Sequence, residues 1–488
     1  MSAGNLILLA LAIPLIGTVL ILMSRGRPNQ RETVTLVTAI SLFVTVVQLV
    51  PEVYAGGRPA ASIFEILPGL DIRFEVEPLG MMFACIASGL WVVNSIYSIG
   101  YMRAHNEPNQ TRFYACFALA IFAAFGVATA GNMLTLFFFY EVLTITTYPL
   151  VTHSGSAEAK RAGRTYLGLL LGTSIGLQLI AIIWTWYATG TLDFRDGGIL
   201  DGAIQGPLVG LLLFLYMYGI GKAALMPVHR WLPAAMVAPT PVSALLHAVA
   251  VVKAGVFTVV KVIVYIFGAD FLRDSGTADW LMYIAGATVL LASFVAMTKD
   301  NLKARLAYST VSQLSYIILG AALFTPLSIV GASMHIAMHA MGKITLFFCA
   351  GAIYVASGKT LISDMKGIGR VMPVTLFAFL IGSLSVIGLP PLGGAWSKYY
   401  LALGAVNSGE LVFVAVLMIS SLLNIAYLLP VVGRGFFSSP DGAGPAKPAI
   451  KEAPVFCLIA LCLTAAGCIV LFFQADRLYQ LLRPIGGG

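Results

Sequence analysis

Residues 219–255 read GIGKAALMPVHRWLPAAMVAPTPVSALLHAVAVVKAG. The stretch is apolar enough to lie in a membrane, yet it carries Lys222, His247 and Lys253 and is interrupted by Pro227, Pro233, Pro239 and Pro241. An ionisable side chain at membrane depth is costly and marks a functional site by default. A helix broken by proline at that depth frees backbone groups that only protein or a water-filled cavity can satisfy. Together the two features point to a path for ions or protons.

Around this stretch the chain of 488 residues is 59% hydrophobic and only 10% charged, with a mean hydropathy of +0.91. Soluble domains are about a quarter charged, so this is the composition of a polytopic membrane protein. The net charge of +8 comes from basic residues strewn between apolar spans. They form no patch, which removes nucleic acid as a partner. The six cysteines all fall in apolar runs without a CxxC spacing. They read as buried thiols rather than as ligands of zinc or an iron–sulfur cluster, or as a disulfide framework. No cofactor and no metal are expected. The first residues, MSAGN, hold no basic group and do not read as a cleavable signal peptide.

A span takes about 20 mostly apolar residues. Fourteen such stretches are found, at 5–23, 34–50, 79–101, 112–130, 132–153, 164–188, 207–227, 241–268, 279–298, 303–324, 326–356, 371–389, 410–433 and 453–473. The predicted fold is therefore an all-α polytopic membrane protein. The seventh span is expected to continue past Pro227 as a short half-helix to about Ala238. The twelfth is expected to break at 388–394, GLPPLGG, and to resume as a half-helix carrying Lys398. Two broken helices separated by four intact ones suggest a five-helix unit used twice. The units are helices 4–8 (112–268) and 9–13 (279–433), after helices 1–3 (1–111) and before helix 14 and the tail (453–488).

The charges test this layout. Loops on one side, from Arg25 to Glu452, carry 18 basic and 7 acidic residues; those on the other, from Glu52 to Arg483, carry 6 basic and 13 acidic. The basic side is expected to be cytoplasmic, which puts both termini outside. Six charged residues are left within the spans: Glu141, Lys222, Lys253, Lys261, Lys343 and Lys398.

Glu141 lies mid-span on the fifth helix, where pairing with a lysine gives a carboxylate a purpose that facing lipid does not. Lys222 sits five residues before Pro227, and a lysine out of water beside a proton path can lose and regain its proton. A movable Glu141 would switch it. Lys253 is near mid-depth and reads as the relay of the first half, with His247 six residues before it. His247 either passes protons between Lys222 and Lys253 or bonds a carbonyl in the bundle. Lys261 lies near the outer end of the same helix, where snorkelling explains a lysine at least as well as a place in the path does. His335, His339 and Lys343 recur every fourth residue and share a face of the eleventh helix. Two histidines at that spacing can bind zinc, but no acidic or thiol ligand stands near and the HExxH glutamate is missing. A wire of titratable groups ending at Lys398 fits better. Tyr308, Ser309, Ser312 and Gln313 of the tenth helix either line a water-filled entry or bond back to their own helix.

At these residues the chain resembles the antiporter-like subunits shared by Mrp-type multisubunit cation/proton antiporters, respiratory complex I and membrane-bound hydrogenases. The resemblance covers nearly the whole chain. Its most specific pieces are 221–255, DNLKARLAYSTVSQLSYI (300–317), HIAMHAMGKITLFFCAG (335–351) and GLPPLGGAWSKYYL (388–401). It implies fourteen helices with two inverted five-helix repeats and broken helices 7 and 12 around a central hydrophilic axis. Glu141 and Lys222 match the family's Glu–Lys pair, and Lys253, Lys343 and Lys398 match its relay lysines. His247, His335 and His339 match histidines of several members, whereas Lys261 matches no functional position. Length and wording are most similar to the D-type members of Mrp antiporters. The resemblance thus implies a sodium (monovalent cation)/proton antiporter subunit in a bacterial or archaeal cytoplasmic membrane, a transporter rather than an enzyme. Its partners would be the other subunits of a hetero-oligomeric complex, the lipid bilayer, protons and sodium. The alternative is the proton-pumping subunit of a redox-driven complex, with the redox groups in its partners.

Overall fold

The computed structural model describes residues 2–438 and 449–486. Asp441 and Lys447, counted above among the loop charges, lie outside them. Among the described residues, eleven helices are long and apolar enough to cross a membrane: α1 (Ala3–Met23), α2 (Pro28–Tyr54), α3 (Pro78–Ala104), α4 (Gln110–Ala128), α5 (Met133–Val151), α6 (Ala157–Thr189), α8 (Thr240–Phe267), α9 (Trp280–Thr298), α11 (Pro326–Ser357), α13 (Leu411–Phe437) and α14 (Val455–Phe473). Two shorter apolar helices are α7 (Pro207–Gly219) and α12 (Pro373–Ile387). The remaining one, α10 (Leu302–Ala322), is long enough but more polar, with Ser309, Thr310, Ser312, Gln313 and Ser315 all buried. These are the fourteen elements expected. Helix α6 starts at Ala157, earlier than apolarity alone predicts, because Ser156 caps it by accepting from the Ala159 amide, while α11 starts where expected, behind a capping box of Thr325 and Ser328.

Burial ranks the helices. In their most apolar windows every residue of α8 and 94% of those of α11 are buried, against 28% for α6. The two lysine- and histidine-bearing helices thus form the centre. The periphery shows large apolar side chains such as Ile16, Ile145, Ile183 and Leu422 on its surface, as a lipid-facing surface requires.

Two features depart from expectation. An antiparallel hairpin, β1 (Ala60–Leu67) and β2 (Leu70–Glu75), follows α2. Strand β2 alternates as a half-buried strand does, with Leu70, Ile72 and Phe74 inward. Phe74 also bridges to Ala130, and Asn132 to Asp193, so a small layer of strand covers the acidic-side end of α8. The second departure is at the seventh helix. The chain does resume past Pro227 as a short helical segment ending at Val237, next to the expected Ala238, but not as one regular α-helix. Residues 220–239 form short helical turns, Val228–Arg230, Trp231–Ala234 and Ala235–Val237, because Pro227, Pro233 and Pro239 repeatedly remove amide donors. The twelfth helix does break and resume as expected, at Gly394–Asn407.

Candidate functional site

The break after α7 is held open by protein groups. The indole of Trp231 donates to the Gly221 carbonyl at 2.9 Å, and the Tyr218 hydroxyl donates to the Met226 carbonyl at 3.2 Å. Both are carbonyls that a continuous helix would have satisfied itself. Helix α8 packs directly on this break. A Cβ at Gly255 would lie 2.4 Å from the backbone of Lys222 and Ala223, so only glycine allows the approach.

Lys222 projects from the break and is fully buried. Its Nζ donates to the Tyr140 carbonyl at 2.8 Å and to Thr144 Oγ1 at 2.6 Å, and sits 3.1 Å from the Tyr140 ring centre. These partners lie on α5, the helix of Glu141, as the expected pairing requires. Yet the ammonium is taken up by the neighbours of Glu141 and not by its carboxylate. Both Glu141 oxygens are enclosed and without a hydrogen-bond partner. The pair is adjacent and unlatched.

The second group joins α8, α10, α11 and the half-helix Gly394–Asn407. Lys253 Nζ hydrogen-bonds His339 Nδ1, and both residues are buried. An ammonium only donates, so the neutral His339 ring carries its proton on Nε2. The His339 and His335 rings stack with centres 5.8 Å apart, and His335 stacks on Tyr316 at 5.6 Å. His335 Nδ1 meets Ser397 Oγ at 2.8 Å and Nε2 meets Gln313 Oε1 at 3.1 Å. Lys398 Nζ lies 4.7 Å from the Tyr316 ring centre and donates to the Ile387 carbonyl at 3.0 Å and to Ser421 Oγ at 3.2 Å. Ile387 is the last residue of α12, so Lys398 caps a carbonyl freed by the second break.

Lys343 stands on a side branch. Its Nζ donates to Ser309 Oγ at 2.6 Å and to the Leu306 carbonyl at 3.2 Å, and Ser309 meets the Tyr427 hydroxyl at 2.8 Å. Tyr427 in turn bonds Asn424. His247 lies in a widened turn of α8, Leu245–Val249, packed 4.6 Å from the Phe347 ring centre. Both its ring nitrogens are buried and unpartnered, so the carbonyl bond weighed above is not made. Turns of this kind recur at functional sites.

Of the α10 residues singled out, Ser309 and Gln313 face the wire. Ser312 instead meets Ser293 of α9 at 3.0 Å, and Tyr308 lies beside His229. Tyr316 is the member that sequence reasoning missed; three residues after Gln313, it was legible only as an aromatic on the same face. The snorkelling of Lys261 is corrected. It is fully buried, with Nζ 3.0 Å from Glu77 Oε1 and 2.7 Å from the Ala130 carbonyl that it hydrogen-bonds, and the Phe194 ring centre 4.3 Å away, while the amides of Arg195 and Ile199 bond the α8 carbonyls of Tyr265 and Ile266 and close that end of the helix. No histidine pair is free for zinc: His335 spends both nitrogens on Ser397 and Gln313, and His339 faces an ammonium. Among the described residues no group of three potential ligands forms.

The model of the family described as NADH:quinone oxidoreductase/Mrp antiporter, TM, matches residues 130–424. A second, described as the N-terminus of NADH-ubiquinone oxidoreductase (complex I) chain 5, matches residues 69–114. The chain is 32% identical to the N-type component of the NADH-quinone oxidoreductase of Desulforudis audaxviator, over 89% of this chain and 87% of that one. It is 26% identical to the D-type component of the Na(+)/H(+) antiporter of Alkalihalophilus pseudofirmus, over 98% of this chain and 95% of that one. Its fold superposes with a TM-score of 0.87 on a component of the Mrp complex from a Dietzia species, at 21% identity, covering 99% of this chain and 97% of that one.

Proposed function

The chain belongs to the NADH:quinone oxidoreductase/Mrp antiporter transmembrane family, and on that premise we propose that it is the D-type, proton-translocating subunit of a sodium/proton antiporter. It is an antiporter-type subunit of a hetero-oligomeric membrane complex. The observation that carries the finer reading is the protein-enclosed series Lys253–His339–His335–Tyr316–Lys398, in which each member touches the next. A subunit that only scaffolds its neighbours has no use for it.

In the relay, the Lys253 ammonium gives a proton to His339 Nδ1, leaving a neutral amine and an imidazolium. His339 releases its other proton from Nε2 toward His335, and Lys398, having first given up its own proton at the second break, takes up the charge as a neutral amine that becomes an ammonium. The Lys222–Glu141 neighbourhood gates the transfer. When Glu141 swings onto Lys222 it holds the ammonium there; in the unlatched arrangement Thr144 and the Tyr140 carbonyl hold it instead. Cation movement elsewhere in the complex biases the two arrangements, and by linkage the relay biases cation movement in return. His247 and Lys343 load the relay from the basic face. The units 112–268 and 279–433 are inverted repeats, each with one broken helix and one relay helix, between the N-terminal helices (1–111) and the C-terminal helix and tail (453–488). The basic face is cytoplasmic and both termini are outside, in the cytoplasmic membrane of a bacterium or archaeon.

A second reading is kept because the relative at 32% identity is a quinone oxidoreductase component: the same relay driven by redox partners. Everted vesicles containing the whole complex separate the two. Sodium-dependent dequenching of a pH dye, without reductant, supports the antiporter. Proton movement that starts only on adding a reductant moves the protein to the redox-driven class.

A further inference from the structure

On the basic face, away from the relay, a cavity of about 580 Å³ opens between α1 and α4. That is within the range of small-molecule sites, about 300–1,000 Å³. Its mouth is polar, with Arg25 at the end of α1 and Asn109, Gln110, Thr111 and Arg112 at the start of α4; its floor is apolar, with Leu22, Ala115 and Leu119. From Asn109 to Leu119 the floor descends ten helical residues, about 15 Å. That is half of the ~30 Å hydrocarbon core, the depth of a single leaflet.

Three features of the mouth favour a phosphate. The Arg25 guanidinium is exposed and meets no partner among the described residues. The Arg112 guanidinium spends one nitrogen on the His153 carbonyl at 3.0 Å and has the rest of its donors free. Helix α4 starts from Asn109 without a side-chain cap, so its first amides present unpaired donors and a positive dipole end to the same space. Arg31 bonds the side chains of Gln110 and Thr111, which holds the mouth in shape. Guanidinium groups above an apolar channel of leaflet depth match an acidic headgroup with its acyl chain below.

We propose that the α1–α4 groove is a binding site for an anionic phospholipid of the basic-face leaflet, its phosphate between Arg25 and Arg112 and a chain lying over Ala115 and Leu119. The site rests only on the membrane reading and not on the transport reaction. Native mass spectrometry of the whole detergent-purified complex, titrated with phosphatidylglycerol or phosphatidylcholine, tests it. The wild type is expected to retain one more phosphatidylglycerol than either Arg25→Gln or Leu119→Trp, with phosphatidylcholine showing no such difference. Arg25 has no partner to lose and Leu119→Trp only fills the channel, so assembly is kept in both. Equal phosphatidylglycerol retention in all three proteins overturns the site. So does equal retention of the two lipids by the wild type, or displacement of the extra lipid by glycerol phosphate alone, which would mean a bare phosphate site. Cross-linking of position 25 to an acidic partner segment in place of lipid overturns it as well.

Discussion

Lys253 of α8 and His339 of α11 are hydrogen-bonded to each other, 86 residues apart in the chain and both enclosed by protein. The Lys253 ammonium is the donor in this bond, and the imidazole nitrogen is its acceptor. Replacing either partner leaves the other polar group buried and unpaired, a cost of about 1–3 kcal/mol. We expect Lys253→Met and His339→Leu each to reduce proton flux at least about tenfold. Residues acting as a unit are strongly non-additive, so the double variant should fall little further; a multiplicative loss would show that the two act separately. Initial rates of dye quenching in proteoliposomes decide it.

Tyr316 joins His335 to Lys398 by its ring faces. Its phenol donates to the Leu417 carbonyl at 3.3 Å. Tyr316→Leu removes the aromatic surface on which the His335 ring and the Lys398 ammonium rest, a cation–π loss of about 2 kcal/mol in a dry site. Flux is expected to drop several-fold, whereas Ser312→Ala, which faces α9, leaves it unchanged. Equal effects of the two substitutions would remove Tyr316 from the wire.

Thr144 holds Lys222 more directly than Glu141 does. Thr144→Val keeps the shape of the side chain and deletes the acceptor, which frees the ammonium to reach the carboxylate. The expected result is a lower exchange rate with the complex intact, and partial recovery in Thr144→Ser. Indifference of the rate to Thr144→Val would contradict the switch.

Glu107, in the loop between α3 and α4, lines a basic-face cavity with Lys303 and Lys359. Burial pushes its carboxyl above the usual range, against the pull of His105 and Lys303. A folded-state value above the unfolded one means that folding favours the protonated form. Relative stability is therefore full below the unfolded value, about 4.3, and is lost as pH rises through the folded one. Glu107→Gln removes that loss. It is expected to raise the melting temperature of the complex at pH 8 and to leave it unchanged at pH 4; a gain independent of pH would place its cause elsewhere.

Much of this was legible beforehand because a bilayer restricts what a chain can do. Runs of about 20 apolar residues, two proline breaks and a handful of charges inside the spans delivered the fourteen helices and every lysine and histidine of the two groups. What the sequence lacks is the rotation of each helix about its axis. Ser309 and Ser312 are one turn apart in sequence, yet one faces Lys343 and the other faces α9. The same ignorance hid Tyr316 and left Glu141 drawn as the partner of Lys222 rather than as its neighbour. Lys261 was misjudged because its cover, Glu77, Ala130 and Phe194, comes from other parts of the chain, next to segments joined to the unforeseen 60–75 hairpin by strand bridges. The signal was present in LDIRFE, an alternating run behind a Pro-Gly turn, and was obscured by the expectation of helices throughout.

The most direct test of the relay is sodium-driven proton flux through the complete complex in proteoliposomes, wild type against Lys253→Met, with subunit content checked in the same vesicles. The account predicts that Lys253→Met assembles fully and moves protons at no more than about a tenth of the wild-type rate. A fully assembled Lys253→Met complex that exchanges sodium for protons at the wild-type rate would contradict it.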